Sequence, residues 1–326
     1  VRANEGGHLL AGVLQGAATP TDRATAIYNL AVREGEAELA GTVRDIRVYG
    51  DSSDPAVVPQ VTVSEGADVT SCASVHSVWH LGGTGYGRLV QNGGTVSIST
   101  AAAGVYSDEG QGKWAPCALT GGETFIEING GTFTFPTDRQ TGLAALGNGG
   151  YTRSAGAVTV TVNGGELSIP AGNGCYVACG TTANALETIV VNGGTFRTRD
   201  LVAGSNSGYF NLVLNGGTIV QVDNSPENTA LVSDLCENCQ VIFGGTATFS
   251  QGGLSVEQKI GVTMSGSGAL VQAGPGKLTV GPAADFALGS VTVAGGTFER
   301  CVVADNEDGD SGSGDTVGGL AVTGAA

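Results

Sequence analysis

One four-residue turn recurs along this chain and limits the folds that are open to it. Asn-Gly-Gly-Thr occupies four places, and related turns occupy three more. The identical copies lie at 92–95, 129–132, 192–195 and 215–218, and the variants lie at 163–166, 243–246 and 294–297. A turn that repeats with the same flanking pattern is typical of a solenoid, in which each repeat stacks on the next. The repeat therefore predicts the architecture before any residue is considered for chemistry.

The residues around the turn alternate between apolar and polar. An apolar residue follows four positions after the first residue of every turn: Val96, Phe133, Leu167, Phe196, Ile219, Ala247 and Phe298. Since alternate residues of a strand face the same side, these positions predict one inward ladder that runs through a core. The flanking Val, Thr, Ile and Phe at period two exclude helical repeats.

The intervals between turns predict a coil of a little over twenty residues with a loop of variable length. The shortest interval separates Asn192 from Asn215, and the long interval from 243 to 294 is expected to hold two coils, with a degenerate turn near 265–268. This spacing suits an all-β, right-handed parallel β-helix, whose strands stack at about 4.8 Å per coil. An antiparallel meander is the alternative, because Asn-Gly is also the strongest signal for a type I′ hairpin.

The first segment of the chain, residues 1–41, differs from the rest and is predicted to be an N-terminal cap. Thr21 is expected to cap a short helix that runs to Arg33, with an apolar face formed by Ala24, Ile27, Leu30 and Ala31. A solenoid needs such a cap because its end coil otherwise exposes apolar core and unpaired strand edges.

The β-helix is expected over 42–304, followed by an acidic linker and tail strand over 305–326. The acidic run 305–315 lacks the closing Glu of an EF-hand, so it predicts a solvated linker with weak calcium binding at most. The small apolar segment after it predicts a docking strand for its own sheet or for that of a neighbouring subunit. The residues expected to carry this assembly role are Val317, Leu320 and Val322.

The charge balance excludes several classes of partner. The chain has 14 Lys and Arg against 30 Asp and Glu, a net charge of −16. Nucleic-acid binding needs basic patches, and anionic membranes would repel this surface, so neither partner is expected. No run of about twenty apolar residues is present, so membrane insertion is not expected either.

Seven cysteines indicate an oxidising compartment and secretion. The pairing predicted from their spacing is 175–179, 236–239 and, less directly, 72–117, with one odd cysteine left over. The residues are Cys72, Cys117, Cys175, Cys179, Cys236 and Cys239 for the pairs, and Cys301 as the odd one. Zinc is an alternative for the Cys-x2-Cys pair but needs two more ligands, which the three His residues do not offer at matching spacing. A redox role is a further alternative, without the usual βαβ context.

Two long loops, 100–120 and 136–156, are the expected places for binding, because loops that protrude from a rigid scaffold often carry function. Their aromatic residues can stack on a sugar ring or can simply cover the core. The candidates are Tyr106, Trp114 and Tyr151. Hydrolysis of a glycan would need two carboxylates on either side of the sugar, and a lyase would need a nearby basic residue. The loops offer Asp108, Glu109, Arg139 and Arg153 for such roles.

The runs at 127–133, 160–166 and 190–196 resemble the repeats of large secreted bacterial β-helix proteins, which include autotransporter-type passengers and surface adhesins. The resemblance implies a secreted, cell-surface location and a structural role. We therefore expect an extracellular structural protein that assembles with itself as a filament or sheath subunit, without catalytic residues, metal or cofactor. A glycan-binding adhesin or receptor-binding module is one alternative, and a β-helical glycoside hydrolase or polysaccharide lyase is the other.

Overall fold

A computed structural model describes the strands and turns of most coils. It covers residues 2–3, 8–11, 28–32, 35–50, 54, 56–71, 79–81, 86–98, 123–134, 141–142, 157–169, 175–177, 186–203, 208–222, 230–232, 238–252, 257–260, 262–280, 286–300 and 320–323. All regular secondary structure in these residues is β-strand, arranged in three sheets.

Sheet I has thirteen strands, which are β1 (Arg2–Ala3), β3 (Tyr28–Val32), β5 (Thr42–Gly50), β7 (Asp68–Ser71), β8 (Trp79–Leu81), β10 (Thr95–Ile98), β12 (Thr132–Thr134), β15 (Glu166–Ile169), β18 (Thr195–Thr198), β21 (Thr218–Gln221), β24 (Thr246–Ser250), β27 (Ala269–Gln272) and β30 (Ser290–Val293). Sheet II has eleven, which are β2 (His8–Ala11), β4 (Glu36–Leu39), β6 (Gln60–Val63), β9 (Tyr86–Gln91), β11 (Glu123–Ile128), β14 (Ala157–Val162), β17 (Leu186–Val191), β20 (Tyr209–Leu214), β23 (Cys239–Phe243), β26 (Thr263–Ser265) and β29 (Phe286–Ala287). Sheet III has eight, which are β13 (Thr141–Gly142), β16 (Cys175–Val177), β19 (Leu201–Ala203), β22 (Ala230–Val232), β25 (Glu257–Ile260), β28 (Lys277–Val280), β31 (Thr297–Arg300) and β32 (Leu320–Thr323).

The strand pairing identifies a parallel solenoid. A coil passes through sheet II, sheet I and sheet III in turn, and each strand pairs with its equivalent in the next coil. Every pair among the described residues is parallel except β31 with β32. A meander of hairpins would pair consecutive strands antiparallel, so the antiparallel alternative is wrong. The first six copies of the recurring turn instead join sheet II to sheet I within their coils.

The predicted inward ladder forms the core of sheet I over five coils. Its members are register partners in adjacent strands: Val96, Phe133, Leu167, Phe196 and Ile219. All five are buried, and their backbones lie one strand spacing apart. Burial of the large apolar side chains in such a column removes much apolar surface from water and stabilises the stack of coils.

The turn at 243–246 is followed by a strand whose register differs from the one predicted by the motif. The register partner of Ile219 is Phe249 and not Ala247, which pairs instead with Leu270. The turn at 243–246 lacks the Asn of the earlier turns, and the strand that follows it runs two positions out of phase with the sequence motif. The degenerate turn near 265–268 does join β26 to β27, as expected.

The last copy of the motif lies at another corner of the coil. The turn at 294–297 joins β30 of sheet I to β31 of sheet III. Phe298 consequently pairs with Leu278 in sheet III rather than extending the ladder of sheet I. A tight turn with two glycines suits either corner, so the local sequence does not distinguish them.

The second glycine of the turn is required for two reasons. Gly165 has a φ of 68°, in the left-handed region that favours glycine. A Cβ built on it would also overlap the carbonyl oxygen of Gly131 in the preceding coil. The motif is therefore a stacking device as well as a turn, because each turn lies directly on the backbone of the one before it.

The N-terminal segment contributes strands to the same sheets. Tyr28–Val32 is a β-strand that pairs with β1 and β5, so the helix predicted to reach Arg33 is wrong over these residues. Pairing with the neighbouring coil overrides the weak helical preference of this short run, and Val32 is fully buried in the core. Residues 21–27, the first part of the predicted helix, lie outside the described residues.

Candidate functional site

The tail strand lies at the C-terminal end of sheet III. β32 pairs antiparallel with β31, so that Leu320 is opposite Arg300 and Val322 is opposite Phe298. Two of the three predicted tail residues thus occupy a strand that pairs with the same chain. Val317 and the acidic run 305–315, the predicted solvated linker with at most weak calcium binding, lie outside the described residues. The antiparallel strand covers the edge on which a further parallel coil would otherwise stack.

The other two sheets end differently. Among the described residues, no strand pairs with the outer edge of β30 in sheet I or of β29 in sheet II. Val291 and Val293, the inward residues of β30, are only partly buried, whereas their partners Leu270 and Gln272 in the preceding coil are fully buried. A strand edge beside partly exposed apolar residues is suited to the addition of another strand.

The outer face of sheet II carries the most exposed large apolar side chains of the described residues. Leu186 and Tyr209 are register partners in adjacent coils and are 37% and 42% exposed. Amide groups lie farther along the same face, where Gln240 Nε2 donates to Asn211 Oδ1 at 2.7 Å. An aromatic ring on the same sheet face as amides is suited to stacking on a sugar ring with hydrogen bonds to its hydroxyls.

Tyr209 is not among the stacking residues predicted from sequence, which lie on the long loops. The exposure of Tyr209 can be predicted from the alternation of residues along β20. The alternate residues that point into the core are Phe210, Leu212 and Leu214. Tyr209 must then point outward, because successive residues of a strand face opposite sides. An exposed aromatic on a regular strand is the exception that a search restricted to loops overlooks.

The recurring Asn residues form a ladder on the outside of the turn. Each side-chain Nδ2 donates to the Oδ1 of the Asn in the preceding coil. The donor–acceptor distances are 3.1 Å for Asn129 to Asn92, 2.8 Å for Asn163 to Asn129, 2.8 Å for Asn192 to Asn163 and 2.8 Å for Asn215 to Asn192. The ladder has a direction, because one end residue only accepts and the other only donates. It holds five turns together along one corner.

Among the described residues, ion pairs such as the following three join neighbouring coils on the outer surface. The pairs and their N–O distances are Arg88–Glu127 at 3.5 Å, Arg197–Glu166 at 3.1 Å and Lys277–Glu299 at 3.0 Å. All six side chains are partly exposed, so each pair contributes at most about 1 kcal/mol. These cations lie against carboxylates of adjacent coils and do not form a basic patch for an anionic ligand.

A column of buried polar groups follows the corner between sheet I and sheet III. Its members are Thr198, Asp200, Gln221, Gln251 and Gln272, none more than 1% exposed. Gln272 Nε2 donates to Gln251 Oε1 at 3.0 Å, and Gln221 Nε2 donates to the Arg199 carbonyl at 3.0 Å. Burial raises the pKa of Asp200 to about 6, although the nearby Arg199 charge opposes the shift. This corner therefore holds an acid that titrates near neutral pH.

Most of the site residues predicted from sequence lie outside the described residues. These are the stacking candidates Tyr106, Trp114 and Tyr151, the loop charges Asp108, Glu109, Arg139 and Arg153, and the cysteines Cys72, Cys117, Cys179, Cys236 and Cys301. Their predicted roles stay predictions.

Two cysteines are placed by the structure. Cys175 is the first residue of β16, and Cys239 is the first residue of β23. Cys239 is 5% exposed and disulfide-bonded. Its predicted partner, Cys236, lies outside the described residues, so the pairing 236–239 stays a prediction.

Within the described ranges, no group of three or more His, Cys, Asp or Glu is placed to hold a metal ion. In the same part of the chain, no helix has the length and apolar character needed to cross a membrane.

The fold and its surfaces define an all-β solenoid of parallel strands in stacked sheets. No protein-family model, curated protein or solved structure matches the chain.

Proposed function

We propose that this protein is a secreted structural subunit of the cell surface, and that it assembles with itself into a filament or sheath. The observation that carries the proposal is the pairing of β32 with β31. A strand at the end of the chain that completes the last sheet of its own solenoid can complete the same sheet of a neighbour. Such an exchange forms the same backbone hydrogen bonds in trans as in cis.

The length of the chain between the two strands permits this exchange. Residues 301–319 connect β31 to β32, and an extended chain spans up to about 3.3–3.6 Å per residue. The connection is therefore long enough to reach another molecule beside the end of the solenoid. Exchange in one direction from copy to copy does not close on itself, and contacts of that kind generate filaments.

The ends of the other sheets support stacking in the same direction. The edges of β29 and β30, with the partly buried Val291 and Val293, offer backbone groups and apolar surface to a second copy. In this arrangement the solenoid coils to the right, as nearly all parallel β crossovers do, and its N-terminal segment caps the opposite end.

A secreted location is supported by composition and chemistry. The disulfide-bonded Cys239 suits an oxidising compartment. A net charge of −16 favours a soluble surface that repels its own copies along its sides. Lateral repulsion with attractive ends would direct association to the ends of the molecule.

The test compares the intact chain with a chain that ends at residue 304 and with the variant Val322→Pro. Proline at 322 removes a backbone donor and disfavours strand pairing. Ala325→Pro, beyond β32, is the matched control. Light scattering over a range of concentrations and electron microscopy should show filaments for the intact chain and the control only. An intact chain that stays monomeric at every concentration would refute the proposal, as would filaments formed equally well without the tail.

A second candidate function, glycan binding, is favoured by the exposed pair Leu186 and Tyr209. The acidic surface disfavours polyanionic glycans, so neutral polysaccharides are the ligands to try. Tyr209→Ala should weaken such binding by up to about tenfold, the value of a lost stacking contact. Tyr86→Ala, at the start of β9 on the same sheet, is the control. Equal affinity of the two variants for every glycan tested would remove this candidate.

A further inference from the structure

We propose that Asn92 is a site of spontaneous deamidation in the folded protein, and that its place at the end of the Asn ladder sets it apart from the other four Asn-Gly pairs of that ladder. The five pairs of the ladder share the sequence Asn-Gly-Gly; Asn148-Gly149-Gly150 and Asn173-Gly174 also occur in the chain but lie outside the described residues. Asn followed by Gly is chemically labile, because glycine does not shield the backbone nitrogen that attacks the side chain. The fold then decides which of the five can react.

The reaction balances without an enzyme or an oxidant. The backbone nitrogen of Gly93 loses its proton and forms a bond to Cγ of Asn92, which closes a five-membered succinimide. The bond from Cγ to Nδ2 breaks, and ammonia leaves. Water then opens the ring at either carbonyl and gives aspartate or isoaspartate. The net change is loss of ammonia, uptake of one water and gain of one negative charge.

Three of the five pairs are protected at the attacking nitrogen. The backbone N–H groups of Gly164, Gly193 and Gly216 donate to carbonyls of the preceding coil at 3.2, 3.2 and 3.0 Å. A nitrogen that donates in this way must break its bond before it can lose the proton and turn toward Cγ. Among the described residues, neither Gly93 nor Gly130 makes such a bond.

The side chain distinguishes Asn92 from Asn129. Asn129 is held at both ends, since it donates to Asn92 at 3.1 Å and accepts from Asn163 at 2.8 Å. Asn92 only accepts, and its Nδ2 makes no hydrogen bond with any described residue. The group that must leave as ammonia is therefore unrestrained at Asn92. The bond accepted by its Oδ1 also draws electrons from Cγ, which assists the attack.

The product fits the same place when the ring opens to aspartate. Residue 92 serves the ladder only as an acceptor, and a carboxylate oxygen accepts from Asn129 Nδ2 as an amide oxygen does. At position 129, aspartate would lack the donor that bonds to Asn92. Deamidation at 92 can thus accumulate in the folded protein without loss of the ladder, and it adds one negative charge to a surface that is already acidic.

The experiment is peptide mapping by mass spectrometry of the full-length folded protein after incubation in mildly alkaline buffer. Fragmentation assigns deamidation to each Asn and separates aspartate from isoaspartate. We expect Asn92 to react several-fold faster than each of the other four. In denaturant the five rates should converge, because the local sequences are nearly the same. Similar rates for all five in the folded protein, or a faster rate at any other Asn of the ladder, would overturn the proposal.

Two variants test the ladder argument directly. Asn92→Ala removes the acceptor of Asn129, which then has a free Nδ2 beside the unbonded Gly130 nitrogen, so its rate should rise several-fold. Asn192→Ala likewise frees the Nδ2 of Asn215. Gly216 still donates to Val191 O at 3.0 Å, so Asn215 should stay slow. An unchanged rate at Asn129 in the first variant would show that the end of the ladder is not the cause.

Discussion

Asn163 donates from Nδ2 to Oδ1 of Asn129 at 2.8 Å and accepts from Asn192 at the same distance. Two residues that are far apart in sequence are thus linked side chain to side chain at one corner of successive coils. The ladder is exposed, so each of its bonds competes with water and contributes near the low end of about 0.5–1.5 kcal/mol.

Asn163→Ala should therefore cost more stability than Asn215→Ala. The first substitution removes two ladder bonds, and the second removes only the bond to Asn192. The expected losses are about 1–2 kcal/mol and about 0.5–1 kcal/mol in the free energy of unfolding. Urea denaturation followed by circular dichroism measures both. Equal losses at the two positions would mean that the ladder bonds do not contribute separately.

Alanine at the second turn glycine should be far more harmful within the stack than outside it. Gly165 and Gly66 both have positive φ, but only at Gly165 would a Cβ overlap the preceding coil. Gly66→Ala should cost about 1–2 kcal/mol for backbone conformation alone. Gly165→Ala should cost several times as much, because two coils must separate to admit the methyl group. Melting temperatures of the two variants test this, and similar values would show that the turns can separate freely.

The burial of Asp200 at the corner between sheet I and sheet III predicts that the free energy of unfolding depends on pH. Asp200 has a pKa of about 6 in the fold against 3.8 for an unperturbed carboxyl, so the folded state binds the proton more tightly than the unfolded state. Stability is therefore highest below the unfolded pKa and falls as pH rises through the folded pKa. The loss between pH 4 and pH 6 is about 1–3 kcal/mol and is complete above pH 7.

Asp200→Asn removes this dependence and should be more stable than the native chain at pH 7 but not at pH 4. Denaturation curves across this pH range provide the measurement. The exposed Glu123→Gln is the control for general charge effects. A variant that is less stable at pH 7 would show that the carboxylate forms interactions worth more than its burial costs.

Substitutions of the two paired glutamines at the same corner should have non-additive effects on stability. Gln251 and Gln272 bond to each other in both directions, at 3.0 and 3.4 Å. Replacing either one by Leu leaves a buried amide with an unmet bond, which costs about 1–3 kcal/mol. The double variant should cost less than the sum of the two single variants, because it removes both partners. Strict additivity in a double-mutant cycle would contradict this coupling.

Much of the fold could be predicted because the repeat unit is short and its turn is marked. Period-two alternation placed Val96, Phe133 and Phe196 in one buried column, and the column is in register across the coils. The parallel arrangement followed from that equivalence. The motif could not show that 294–297 occupies another corner, since two glycines make a tight turn wherever the chain bends.

The candidate surfaces were less predictable. Leu320 and Val322 were expected in a tail strand and occupy one, but the antiparallel direction of that strand depends on how the chain returns to the end of the solenoid. The strand at Tyr28–Val32 was missed because pairing with neighbouring coils decides the conformation of a short run. The raised pKa of Asp200 was equally hidden, since burial at a coil corner depends on all three sheets.

The contact of each turn with the turn before it also limits how this chain can change over generations. A duplicated or deleted coil preserves every contact of Gly165 with its neighbour, because equivalent coils replace one another. A single residue inserted at that corner would push the turn out of contact with the turns of the coils on either side of it. Gene duplication should thus lengthen the molecule in whole steps of about 4.8 Å, while single insertions collect at the other two corners, where the intervals between strands already vary.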